Sequence, residues 1–148
     1  MPKKVVITGM GINSSIGNTV GEHFYALTHR QAGISRIENV ETIHADHIKV
    51  GEIKRTNAEL ITALRLPEVN AYSRTSLLGI IALQEAIANA GLTQKDLSHC
   101  GLIMASTVGG MDMTENYFFL YGDDEPLRRY ITTHNIGEVT HQIADYVG

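Results

Sequence analysis

Cysteine and histidine are the side chains here best suited to covalent or metal chemistry, and their spacing restricts both. The single cysteine lies in Ser98-His99-Cys100-Gly101. A thiolate is favoured where a helix opens, whereas Cys100 precedes an apolar, strand-like run, and adjacent side chains such as His99 diverge from it. A structural cysteine is expected. His44-Ala45-Asp46-His47 could clamp a metal, but it lacks helical periodicity and brings no further ligands, so loop histidines are expected. His134 and His141 stand two turns apart on one expected helix, both partly exposed. Gly9-Met10-Gly11-Ile12-Asn13-Ser14 follows an apolar run as a dinucleotide-binding turn does. Yet Ser14 stands where the third glycine belongs, and no acid ends a strand near Arg30. A tight strand-to-loop turn is the expected reading. Tyr117, Phe118, Phe119 and Tyr121 could line a ligand channel or, more simply, join a core.

The element that must position any ligand is Gly101-Leu102-Ile103-Met104-Ala105-Ser106-Thr107-Val108-Gly109-Gly110-Met111. Its apolar start predicts a buried parallel strand. Its small residues and glycines predict an open carboxyl end, where ligands of α/β sheets sit. Val5-Val6-Ile7-Thr8 predicts a second buried strand, ended at Gly9. The capping spacing Thr19-Val20-Gly21-Glu22 predicts a helix to about Arg30, with Val20, Phe24 and Leu27 on its inner face. Residues 31–56 read as an irregular excursion, with a short edge strand near Ile48, Val50 and Ile53. A helix should start at Thr56-Asn57-Ala58-Glu59 and stop before Pro67. The clearest helix is Ser73 to Ala90, apolar almost all round and closed by Gly91. Thr93 to Asp96 caps a short turn. A helix is expected from Asp112 to Tyr121, capped through Asp112 and Glu115, then an exposed acidic loop at Gly122 to Pro126. The last helix should run from Asn135 to Val147, with Ile136, Val139, Ile143 and Tyr146 on one stripe.

The chain has 148 residues, 43% hydrophobic and 19% charged, with a formal net charge of −4. That suits one domain with a packed core. It carries no dense basic cluster, so no nucleic-acid partner is expected. No run approaches a membrane span or a signal peptide. One cysteine excludes an internal disulfide and fits a reducing cytoplasm.

Taken in order, several stretches resemble the N-terminal part of a β-ketoacyl-[acyl-carrier-protein] synthase, of the thiolase-like condensing-enzyme family. Val5 to Gly11, then Ser14 and Gly17-Asn18-Thr19-Val20, resemble the family's opening strand and loop. Gln31-Ala32-Gly33-Ile34 resembles the turn after its first helix. Ser73-Arg74 with Ala82, Ala86 and Ala90-Gly91-Leu92 resembles its long helix, and Gly101 to Gly110 its second core strand and double-glycine turn.

The resemblance implies an α/β fold class: an incomplete N-terminal half of a thiolase-like αβαβα fold, ending before the nucleophile. It implies decarboxylative condensation of a cysteine-bound acyl chain with a malonyl thioester on acyl carrier protein, in a cytoplasmic homodimer without a cofactor or metal. No residue here matches the family's nucleophilic cysteine or its two histidines, so no catalytic residue is assigned and the fragment alone should be inactive. Two substrate-binding positions are carried over: Val108, matching a residue that lines the acyl pocket, and Tyr130, matching an aromatic that reaches the partner's pocket. Turn packing and ordinary core remain equal alternatives for the two. Tyr130-Ile131-Thr132-Thr133-His134-Asn135 departs from the commoner family pattern, richer in Pro, Ser and Val. The other readings are a non-catalytic thiolase-like partner subunit and a small nucleotide-binding domain. Bare strand edges would make the piece a dimer or larger assembly.

Overall fold

A computed structural model describes residues 4–120 and 125–148. It is helix-rich with one small sheet and divides into two compact units. One holds the residues up to Thr56 together with Ile81–Leu92; the other holds Asn57–Ile80 and Thr93–Gly148. Among the described residues no helix is long and apolar enough to cross a membrane.

The first unit is built on helix α1, Val20–Thr28. Thr19 caps it, its hydroxyl accepting the Glu22 N–H at 3.2 Å. This matches the capping spacing, but the helix is rotated from expectation. His23 and Ala26 are buried, whereas Phe24 and Leu27 are 71% and 68% exposed. The imidazole of His23 lies 2.7 Å from both the Ser14 hydroxyl and the Thr19 carbonyl, and these two bonds set which face turns inward. Apolar spacing defines a stripe; it cannot reveal that a polar bond has fixed the other face.

The run Val5-Val6-Ile7-Thr8 has no regular secondary structure and is not the expected buried strand. Its three apolar side chains are 96%, 71% and 83% exposed, and no ladder among the described residues includes it. A strand needs a neighbour to take its N–H and C=O groups. The nearby residues are instead held by the last turns of helix α3, Arg74–Ala90. Met10 N–H donates to Asn89 Oδ1 at 3.1 Å, and Ile12 N–H to Glu85 Oε2 at 2.9 Å. Glu85 Oε1 also accepts the Val20 N–H at 2.7 Å. A Cβ on Gly9 or Gly11 would strike the Ala86 or Ala82 carbonyl of α3, so only glycine allows this approach.

Within the 31–56 excursion, strands β1 (Ser35–Arg36) and β2 (Lys49–Val50) pair antiparallel, Ser35 opposite Val50. The edge strand expected near Ile48 to Ile53 is thus a two-residue strand. Gly33 packs against Ser15 and Ile16. Buried Glu52 accepts the N–H groups of Glu38 and Asn39, each at 2.9 Å, and faces Lys54 Nζ at 3.4 Å.

The second unit holds most of the apolar core: Leu60, Leu64, Leu77, Ile80, Met113, Tyr130, Val139 and Ile143 are buried. Helix α2 (Asn57–Ala63) supplies Leu60, and Leu64 follows it, where Arg65 at φ 55° turns the chain ahead of Pro67. The first turns of α3 bury Ser76, Leu77 and Ile80, while much of its remaining apolar surface is only half-buried. Gly91, at φ 65°, follows it as expected. Helix α4 (Gln94–Leu97) carries the Thr93–Asp96 capping box, whose Thr93 hydroxyl and N–H hold the Asp96 carboxyl below its ordinary range. Helix α5 spans Met111–Tyr117 and helix α6 Ile136–Val147, where the sequence puts a helix; Asn135, expected as its first residue, is its cap.

Three expectations need correction here. Residues 101–106 form no strand among the described residues, and Ile103 is 97% exposed, for the same lack of a ladder partner. Helix α5 begins at Met111, and Asp112 does not cap it: its carboxylate accepts the Arg74 N–H at 2.8 Å, capping α3 instead. Phe118 and Phe119 continue α5 as a 3-10 turn and are exposed rather than core. Tyr121 and most of the expected acidic loop lie outside the described residues.

Candidate functional site

Ser106-Thr107-Val108-Gly109-Gly110 is a real turn even though no strand precedes it. The Ser106 hydroxyl accepts the Gly109 N–H at 3.0 Å and the Val108 N–H at 3.3 Å. Gly109 adopts φ 55°, a conformation costly for other residues. Gly110 is buried against Thr133: its N–H donates to the Thr133 carbonyl at 2.7 Å, and a Cβ there would collide with the Thr133 side chain. The glycine pair thus lets the turn dock on the 3-10 segment Thr132–His134, immediately after Tyr130.

The docked turn holds Val108 outward, 53% exposed, while Tyr130 is 7% exposed. The Tyr130 ring stacks on Tyr117 of α5, centroids 4.3 Å apart and planes 12° apart. The Arg129 guanidinium sits 4.8 Å from the Tyr130 centroid and donates to its hydroxyl at 2.7 Å. Stacking, a cation over the ring and a charge-assisted hydrogen bond hold Tyr130 in one pose. Valine and tyrosine side chains are of the kind that line a site for an apolar chain; neither has a partner here that would let it make or break bonds.

The other candidates are dispersed. Cys100 is exposed, and its thiol donates to the Asp96 carbonyl at 3.3 Å, at the closing end of α4 and not at a helix start. His44 and His47 flank an exposed turn, and among the described residues no three His, Cys, Asp or Glu side chains come close enough to hold a metal. His134 and His141 are exposed, with His134 Nδ1 3.3 Å from the Thr114 hydroxyl. At Gly9-Met10-Gly11, Asn89 and the Glu85 carboxylate take the N–H groups of Met10 and Ile12. A phosphate would need such donors free and no carboxylate beside them.

Sequence reasoning missed the Tyr117–Tyr130 stack and the Ser14–His23 pair. Ser14 and His23 are separated by a loop and a helix start, and no spacing rule links such positions; only the fold brings Ser14 Oγ to His23 Nε2.

Residues 2–147 match the family model described as Beta-ketoacyl synthase, N-terminal domain. The chain is 29% identical over 144 residues to "3-oxoacyl-[acyl-carrier-protein] synthase II, chloroplastic" of Arabidopsis thaliana, covering 91% of this chain and 26% of that protein. It is 29% identical over 115 residues to "3-oxoacyl-[acyl-carrier-protein] synthase 2" of Vibrio cholerae, and 32% identical over 115 residues to the protein of that name in Staphylococcus aureus. Each of the latter two covers 76% of this chain and 27% of the relative. The chain spans about a quarter of the length of these curated relatives.

Proposed function

This chain belongs to the β-ketoacyl synthase family through that N-terminal domain, and on that premise we propose that it is the opening part of a 3-oxoacyl-[acyl-carrier-protein] synthase. The whole enzyme joins an acyl chain to a malonyl unit carried on acyl carrier protein, with loss of carbon dioxide. The architecture it serves is thiolase-like, two similar halves assembled as a homodimer, working in the cytoplasm. This part supplies framework and pocket wall. The reacting thiolate, the histidines that assist decarboxylation and the N–H groups that hold the oxyanion come from the remaining length of the enzyme.

The observation that carries the reading is the match across residues 2–147. The double-glycine turn, docked on the segment that follows the fixed Tyr130, agrees with it. Val108 lines the acyl pocket, and Tyr130 reaches the pocket of the partner subunit.

The test joins this chain to the remaining three quarters of a 3-oxoacyl synthase of the family and measures which acyl lengths it elongates. Val108 is half in solvent, so Val108→Phe should leave the fold intact and fill the pocket. It is expected to lower kcat/KM for long acyl chains by about tenfold or more and to spare short ones, since displaced methylenes are each worth about 0.8 kcal/mol. An unchanged length profile contradicts the role of Val108.

A further inference from the structure

Ser14 and His23 form a part-buried polar pair with the geometry of a nucleophile and its base. His23 is 7% exposed, and its Nδ1 lies 2.7 Å from the Thr19 carbonyl, which can only accept. Nδ1 therefore carries the ring proton, and in the neutral imidazole Nε2 is left with a lone pair. Ser14 Oγ lies 2.7 Å from that lone pair, so the hydroxyl donates to it. The Ile16 N–H donates to the same oxygen at 3.3 Å, which supports negative charge there and leaves a lone pair for attack. Gly17 lets the loop close over the ring: a Cβ there would stand 3.1 Å from Nδ1 and 2.7 Å from the Glu22 Cβ. Ser14 itself is only half-buried. A base oriented by a third group and bonded to a hydroxyl is the arrangement that activates serine.

We propose that Ser14 is a nucleophilic serine, with His23 as its base, that accepts an acyl group from an activated thioester. Ser14 Oγ attacks the thioester carbonyl while its proton passes to His23 Nε2. The C–S bond breaks, and the departing thiolate takes that proton. The products are a Ser14 oxyester and a free thiol, with no change of oxidation state and His23 returned to its starting form. The choice of a thioester as acyl donor rests on the proposed reading; the Ser14–His23 geometry does not.

The test incubates the chain carrying Cys100→Ser, which removes the exposed competing thiol, with octanoyl-N-acetylcysteamine thioester. Intact mass and peptide mapping locate the adduct. One octanoyl group on Ser14 is expected. Ser14→Ala should abolish it. His23→Gln, whose amide keeps a hydrogen-bonding group near Nε2 but cannot take a proton, should slow it at least about tenfold. Circular dichroism confirms that the variants remain folded. An alkyl fluorophosphonate, which loses fluoride to the serine, gives the same readout without altering the dyad. No adduct on Ser14 with either reagent, equal rates in His23→Gln, or adducts spread over other serines would overturn the proposal.

Discussion

Glu52 anchors the 31–56 excursion through two backbone N–H groups and Lys54. Burial pushes its carboxyl upward, but the Glu38 and Asn39 N–H groups and the Lys54 ammonium outweigh that and hold it below the ordinary 4.5. The folded chain thus binds this proton less readily than the unfolded chain does. Its stabilisation is fully present above the unfolded value and is lost as pH falls through the folded one. Glu52→Gln offers one carbonyl oxygen to two N–H groups and turns its amide toward Lys54. Urea unfolding at neutral pH should show a loss of about 1–3 kcal/mol. The difference from wild type should shrink as pH falls below the ordinary 4.5 and through the lowered folded value, where the wild-type carboxyl becomes protonated. An equal difference at both pH values would contradict this account. The candidate site is also decided residue by residue: Val108 is placed by two bonds to the Ser106 hydroxyl, and Tyr130 by Tyr117 and Arg129.

Among the elements, the last turns of α3 take the place of a strand partner. Glu85 accepts from Ile12 and Val20, Asn89 accepts from Met10, and Gly9 and Gly11 let the backbones meet. Glu85→Ala should speed amide hydrogen exchange at Ile12 and Val20 together by about tenfold or more, from a loss of about 1–3 kcal/mol. Acceleration at one amide alone would contradict a shared carboxylate. Gly11→Ala should destabilise by about 1–3 kcal/mol or more, because its Cβ meets an α3 carbonyl that cannot yield, and a lowered melting temperature would report it. A second polar grip lies in the other unit: buried Ser76 donates to Gln142 Oε1 at 2.6 Å, and Gln142 Nε2 donates to the Ala71 carbonyl at 2.9 Å.

The elements that the sequence made legible are those with local signals. The Thr19 and Thr93 caps, the Gly91 stop and the Val139–Ile143 stripe of α6 all lie where spacing puts them. What spacing could not convey depends on distant partners. Asp112 has capping spacing for its own helix but serves α3, 38 residues away in sequence. Val5 to Thr8 and 101–106 have strand composition but no ladder among the described residues, and composition cannot supply a neighbour. The site was legible through its glycines: Gly109-Gly110 signals a turn and a close approach. The Arg129–Tyr130–Tyr117 stack and the Ser14–His23 pair were not, because both join residues whose spacing carries no rule.

At the scale of the whole molecule, large apolar side chains stand in solvent: Val5, Val6 and Ile7 in one unit, Ile103 and Phe119 in the other. A patch of exposed apolar side chains this large invites association with another chain. Sedimentation of the chain at micromolar concentration should show a dimer or larger assembly, and Ile7→Lys should shift it toward monomer. A compact monomer at that concentration would contradict this expectation.

The central claim is that this chain furnishes framework and pocket to a condensing enzyme whose reacting sulfur lies outside it. The most direct test measures 3-oxoacyl product and carbon dioxide release from acyl- and malonyl-loaded carrier protein. The 148-residue chain alone is compared with the same chain joined to the remainder of a family member. The account predicts turnover by the joined protein and none by the chain alone. Turnover by the chain alone that disappears in Cys100→Ser would contradict it, placing the nucleophile at the cysteine assigned here a structural role.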